Sequence, residues 1–283
     1  MSDYRDCNGH GTCCIELIKR LAPNAEVFCI RVLDSHMRCP SNALIYALKC
    51  AMEMGAEIIN LSLCTPTSSY ELYSTCMRIA TQGNLIIASH ANRSSKVGYP
   101  ATYPQVLGVR GGILSFENEY WLSATRREVV ADISPTFVHS ALDKIVLFSG
   151  YSKATALFTG ITAKSIDLIC PKDKWLNYMS ACAKINIWNE GEIPMQLNQE
   201  SASSISFQNR RRIREVVCRW IGFIQNGESI DKACARHFTP DNAFDLLKNI
   251  NEEFFLDMDY YHIRGIDLLS YKALCSMLSK RLK

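Results

Sequence analysis

Hydrophobic positions along the first two thirds of the chain switch between helical spacing and short apolar runs, the alternation expected of an α/β domain on a parallel sheet. Thr12 to Leu21 has apolar residues at helical spacing and stops at Ala22-Pro23-Asn24, which predicts a helix. Glu26 to Val32 then reads as a strand, on Val27, Phe28, Ile30 and Val32. Ser41 to Met54 places Ala43, Leu44, Ala47, Leu48, Ala51 and Met52 on one helical face and ends at Gly55. Further strands are predicted over Glu57 to Leu63, Leu85 to Ser89 and Val106 to Val109, with a helix over Tyr70 to Gln82 closed by Gly83.

Beyond Glu117 the pattern loosens, with short strands around Glu128 to Val130 and Lys144 to Phe148. Helices are predicted over Ser152 to Leu168 and from Pro171 to about Lys184. From Asn186 to Ser206 periodicity gives way to Asn, Gln, Ser and Gly, the composition of a linker. The expected organisation is one domain over residues 1–188, a linker over 189–207 and a helical domain over 208–283, with no internal repeat.

Composition narrows the function classes. A formal charge of +3, from 31 basic and 28 acidic side chains, gives no concentrated basic face for nucleic acid. The apolar runs are far shorter than the roughly 20 residues that span a bilayer, and the N-terminus lacks the apolar core of a signal peptide. Thirteen cysteines, scattered without paired metal spacing, read as reduced thiols in a cytoplasmic protein; no metal and no cofactor are expected. His36, His90, His139 and His262 have no motif around them and read as structural or surface residues.

Three segments carry chemistry. Asp6-Cys-Asn-Gly-His-Gly-Thr12 sets His10 in a glycine-rich turn that opens a helix, where an imidazole can act as a general base. The strand Leu85 to Ser89 runs into His90-Ala-Asn92, and Gly150-Tyr-Ser-Lys-Ala-Thr-Ala156 places Ser152 at a helix start, among backbone N–H groups suited to a developing oxyanion. His, then a loop Asn, then a Ser opening a helix resembles the subtilisin-like serine peptidase family. The likeness extends to Leu21-Ala-Pro-Asn-Ala-Glu-Val27, Ile58-Ile-Asn-Leu-Ser-Leu63 and Tyr99-Pro-Ala-Thr-Tyr-Pro-Gln-Val106, and so covers about residues 6–185.

The resemblance implies a subtilisin-like parallel sheet flanked by helices, followed by a small C-terminal helical bundle. It implies Ser152 as nucleophile, His10 as its base, Asn92 as oxyanion donor, and Ser62, Leu63 and Cys64 as the edge that pairs with a peptide or protein substrate. Tyr151 stands where the family carries Thr, and Ala156 where it carries Pro. The family's orienting Asp lies on a strand well before the His motif, whereas five residues precede Asp6 here; Asp3 and Asp6 are poor substitutes. The expectation is that an upstream segment or a partner chain supplies that strand. The rival reading is a catalytically inactive pseudo-peptidase that binds peptides as a scaffold in a peptide-maturation pathway.

The last 76 residues predict amphipathic helices over Arg212 to Ile221, Pro240 to Phe254 and Gly265 to Leu282, after a basic run at Arg210 to Arg214. Leu246 to Met258 and Ile263 to Cys275 are similar to the second and last helices of acyl or peptidyl carrier proteins. Pro240 falls about where the carrier's modified Ser would stand, so no prosthetic arm is expected.

Overall fold

The structure, a computed structural model, describes residues 6–92, 97–141, 144–166, 174–195, 205–260 and 263–282. Asp3, His262, the end of the helix expected to reach Leu168, the start of the next at Pro171 and the middle of the expected linker lie outside the described residues. The chain divides into two compact units, one of residues 1–133, 139–143 and 149–197, the other of 134–138, 144–148 and 198–283.

The first unit is built on a five-stranded sheet in the order β1-β2-β3-β5-β4, from β1 (Ile58–Leu61), β2 (Leu85–Ser89), β3 (Leu107–Gly112), β4 (Tyr120–Ser123) and β5 (Glu128–Asp132). The first four in that order run parallel; β4 closes one edge antiparallel to β5, with Tyr120 opposite Ala131 and Ser123 opposite Glu128. β2, β3 and β5 are buried along nearly their whole length, as a sheet covered on both faces requires. The helices are α1 (His10–Leu21), α2 (Ser41–Glu53), α3 (Tyr70–Thr81), α4 (Tyr151–Ile166) and α5 (Trp175–Cys182).

Two helices position the chemistry. α4 is buried almost throughout its first three turns and packs on β3, β5 and α1. Gly160 permits the α1 contact, because a Cβ there would sit 2.9 Å from the Leu21 Cβ. α1 buries Cys13, Cys14, Leu17 and Ile18, worth roughly 1.5–3 kcal/mol for each large side chain removed from water. Its first residues follow Gly9, whose φ of 79° suits glycine.

The strand expected over Glu26 to Val32 does not form. Those residues form no regular element and join no sheet, and Phe28 (55% exposed) and Ile30 (38%) face solvent. A β-favouring composition makes a strand only where a neighbour completes the ladder, and no described strand lies beside this run. β4 was not expected, because its register is set by the hairpin with β5 rather than by its own periodicity.

The domain boundaries also differ from the sequence reading. Residues 189–195, expected as linker, belong to the first unit: Trp188 packs edge-on against Trp121 at 5.9 Å, and Ile113 N–H donates to Pro194 O at 2.6 Å. β7 (Ile145–Phe148), expected as a strand of the first domain, pairs with β6 (Thr136–His139), for which no strand is expected, and residues 134–138 and 144–148 belong to the second unit. Phe137 explains the transfer, since it is buried edge-on against Phe244 and Tyr260 in the second unit's core.

The rest of that unit is helical: α6 (Phe207–Ile221), α7 (Ile230–His237), α8 (Pro240–Phe254) and α9 (Tyr271–Ser279). Ile213, Val217, Leu246, Ile250, Leu274 and Leu278 fill its core. α7 was missed, being two turns long. The single helix expected from Gly265 to Leu282 is instead a 3-10 turn over Gly265–Asp267 and then α9, because the Ser270 hydroxyl caps a new start by accepting Ala273 N–H at 3.0 Å.

Candidate active site

Gly150, at φ 86°, makes the turn that lifts the first residues of α4 to the carboxyl end of the sheet. Ser152 is half-buried there, and its hydroxyl donates to the Ser62 carbonyl at 3.0 Å. Ser62 returns the contact, its hydroxyl donating to the Ser152 carbonyl at 3.1 Å. Behind them the Asn60 amide donates to the Ser62 hydroxyl at 3.1 Å and accepts from Thr159 Oγ1 at 2.9 Å, so α4 and the end of β1 are tied by four polar side chains.

Asn92 follows β2 on an exposed loop, and its Oδ1 accepts the Tyr151 N–H at 3.2 Å. With the carbonyl end of the amide held, the NH2 end is the donor that remains. The Ser152 N–H lies in the first turn of α4, where no intrahelical carbonyl is within reach. Two donors of the kind that stabilise an oxyanion therefore flank the serine.

His10 opens α1, and one turn on, on the same face, stands Cys14, whose thiol the Ser62 side chain is near enough to influence. That places the imidazole's helix face toward the Ser62–Ser152 pair. Burial depresses the His10 pKa, against the opposing charge of Asp6, which favours the neutral ring a base requires. Burial pushes the Cys14 thiol up to about 12, so the neighbouring cysteine is an inert thiol.

Asp6 is committed elsewhere. One oxygen accepts the Thr12 N–H and hydroxyl, both at 2.8 Å, and the other accepts Gly9 N–H at 2.9 Å and Asn8 N–H at 3.3 Å. Burial alone would raise its pKa, but these bonds outweigh burial and hold it below the usual value. Asp6 caps the start of α1, in keeping with the expectation that it is a poor orienter of His10.

Leu63 and Cys64 continue from β1, half-buried, and the next residue, Thr65, makes a two-bond antiparallel bridge with Tyr99, each N–H donating to the other's carbonyl at 2.8 Å. Cys64 packs against Gly98, where a Cβ would lie 3.2 Å from its sulfur. Direct hydrogen bonds thus link Ser152 to Ser62 and its neighbour Tyr151 to Asn92, while His10 is related to them through Cys14.

Lys153 escaped the sequence reading, whereas His90, expected as a structural or surface residue, is buried. Lys153, next to the serine, is fully buried and pairs with Asp132 and Glu117, each at 2.7 Å. The available signal was a charge in the first turn of a helix whose next ten residues are apolar, Gly or Thr. His90, two residues before Asn92, is 5% exposed and lies over Gly108, with its Nε2 3.8 Å from Glu128.

Burial, reinforced by the Arg110 charge, pushes the His90 pKa down to about 4. The folded state then resists a proton that the unfolded chain accepts below pH about 6.5, so stability is full above that pH and declines as pH falls toward 4. Urea unfolding at pH 7.0 and 4.5 should show an acid loss of roughly 2–3 kcal/mol that His90→Gln removes. An equal acid loss in both proteins would show that His90 does not set it.

A parallel α/β sheet with Ser at a helix start, a helix-opening His and a loop Asn defines a subtilisin-like fold of the serine-peptidase class. The Subtilase family model matches residues 2–181, and the chain belongs to that family. Subtilisin DY of Bacillus licheniformis is 29% identical over 138 residues, 44% of this chain and 50% of that protein. Subtilisin E of Bacillus subtilis is 27% identical over 176 residues, 56% of this chain and 46% of its own length. The chain thus spans about half the length of the subtilisins it matches. Among solved structures, sphericase superposes with a TM-score of 0.53 at 18% identity, covering 62% of this chain and 70% of its own.

Proposed function

We propose that this chain is the serine-endopeptidase part of a subtilisin-like enzyme that cleaves peptide bonds in peptide or protein substrates. The observation that carries the reading is the clamp at Asn92, whose carbonyl is held by the N–H of the residue before Ser152, leaving its amide group to donate beside the serine. A substrate strand pairs with Ser62, Leu63 and Cys64, its N–H groups competing for the Ser62 carbonyl that holds the Ser152 hydroxyl. Once released, Ser152 Oγ loses its proton to His10 and attacks the scissile carbonyl carbon. The carbonyl electron pair moves to oxygen, stabilised by Asn92 Nδ2–H and Ser152 N–H. Protonated His10 then gives its proton to the leaving amine, and water repeats the sequence on the acyl-enzyme.

The orienting carboxylate is proposed to come on an additional strand, from an upstream segment or a partner chain. Two features support this. β1 pairs with β2 alone among the described strands, and the β-favouring run 26–32 has exposed apolar side chains and no ladder. An unpaired edge and an unpaired strand-former both stand to gain backbone hydrogen bonds from an inserted strand. The described cysteines are free thiols, consistent with a reducing compartment such as the cytoplasm.

The test is covalent labelling by a fluorophosphonate, with and without a synthetic strand peptide carrying the Asp. The expected result is an adduct on Ser152, located by mass spectrometry and absent in Ser152→Ala. Labelling absent under both conditions would replace this reading with the inactive peptide-binding module.

A further inference from the structure

We propose that Lys153 is a positioning residue: its buried ion pair with Asp132, extended to Glu117, fixes the first turn of α4 and hence sets Ser152 against Asn92 and Ser62. The role assigned to Ser152 rests on the peptidase reading; the anchoring of the turn does not. The Lys153 side chain is fully buried, Asp132 is fully buried at the last position of β5, and Glu117 lies on the loop between β3 and β4. Nζ meets one oxygen of each at 2.7 Å, and the other Asp132 oxygen accepts Leu114 N–H at 3.1 Å. One ammonium therefore ties the end of β5 and the β3–β4 loop to the residue that follows the serine.

The course of the chain explains the need. Between β5 and α4 it runs out through residues 134–138 and 144–148, which belong to the second unit, and it re-enters at Ser149, three residues before Ser152. Across the junction the Gly150 N–H meets Ile133 O at 3.5 Å. Gly111 gives room for the same junction, since a Cβ there would meet Ile133 at 2.1 Å and the Tyr151 ring at 2.6 Å. A buried ion pair is a poor source of net stability compared with apolar packing, so its presence here is accounted for by fixing one geometry. Neighbouring Ala154, Ala156, Leu157 and Phe158 show that apolar side chains fill the rest of this buried helix.

The experiment compares the native chain with Lys153→Met/Asp132→Asn, which removes both charges and keeps an acceptor for Leu114 N–H. Residue-resolved hydrogen exchange should show the Tyr151 and Ala154 amides exchanging roughly tenfold or more faster, with residues 205–260 and 263–282 unchanged. At matched melting temperature, fluorophosphonate labelling of Ser152 should slow by a similar factor. If the double variant melts far below the native chain, Glu117→Gln carries the same comparison, because its site is partly exposed and tolerates the change. Unchanged exchange at Tyr151 and Ala154, or uniform acceleration across the chain, would overturn the proposal. A native chain that does not label even with the strand peptide supplied would remove the peptidase reading, while the exchange result would still decide whether Lys153 anchors the turn.

Discussion

Replacing His10 by Ala is expected to slow acylation of Ser152 by only about 10²-fold in this chain alone, but by about 10⁶-fold once the Asp-bearing strand is supplied. The figures are those of subtilisin itself, where losing Ser or His costs about 10⁶ in kcat and losing Asp alone about 10⁴, so that a base without its carboxylate accounts for the remainder. The physical cause is tautomer and orientation. A carboxylate on the far ring nitrogen fixes which nitrogen carries the proton and stabilises the imidazolium that forms. Here Asp6 spends its oxygens on Thr12, Gly9 and Asn8 and reaches His10 through its charge. Labelling rates for the native chain and His10→Ala, each with and without the strand peptide, give the coupling directly. If the penalty for losing His10 is the same under both conditions, the supplied carboxylate does not work through the imidazole, and the split-triad account fails.

Lys153→Met on its own is expected to destabilise the first unit by about 3–5 kcal/mol, a large fraction of the roughly 5–15 kcal/mol that holds a domain folded. The penalty comes from the partner left behind: Asp132 is wholly buried, and its uncompensated charge has no access to water. Adding Asp132→Asn should recover most of the loss, because a neutral amide is far cheaper to bury than a carboxylate and can still accept Leu114 N–H. Urea unfolding of the three proteins, followed by tryptophan fluorescence, measures both effects. A cost below about 1 kcal/mol for the single substitution would show that Asp132 is hydrated or repartnered, and that the ion pair does not organise the end of β5.

The sequence by itself determined the parallel α/β class, the helices that carry His10 and Ser152, and the three chemical segments in their order. Helical spacing in Thr12 to Leu21, small residues after Gly150, and apolar runs at Leu85 to Ser89 are local signals, set by side chains that each element carries itself. What only the tertiary structure decided depends on neighbours from elsewhere in the chain. Glu26 to Val32 has the residues of a strand and no ladder to join. Residues 134–138 and 144–148 read as part of the first domain, yet they belong to the other unit, because Phe137 finds its aromatic partners at Phe244 and Tyr260. Asp6, four residues from His10, already reads from the sequence as a poor orienter, but only the structure shows where its oxygens go, which is to the start of α1. Lys153, Asp132 and Glu117 are far apart in sequence and carry no motif; only the folding of α4 against the end of β5 makes them one buried network beside the serine. Periodicity records what each segment must bury, whereas pairing, capping and buried charge are settled by which segments meet.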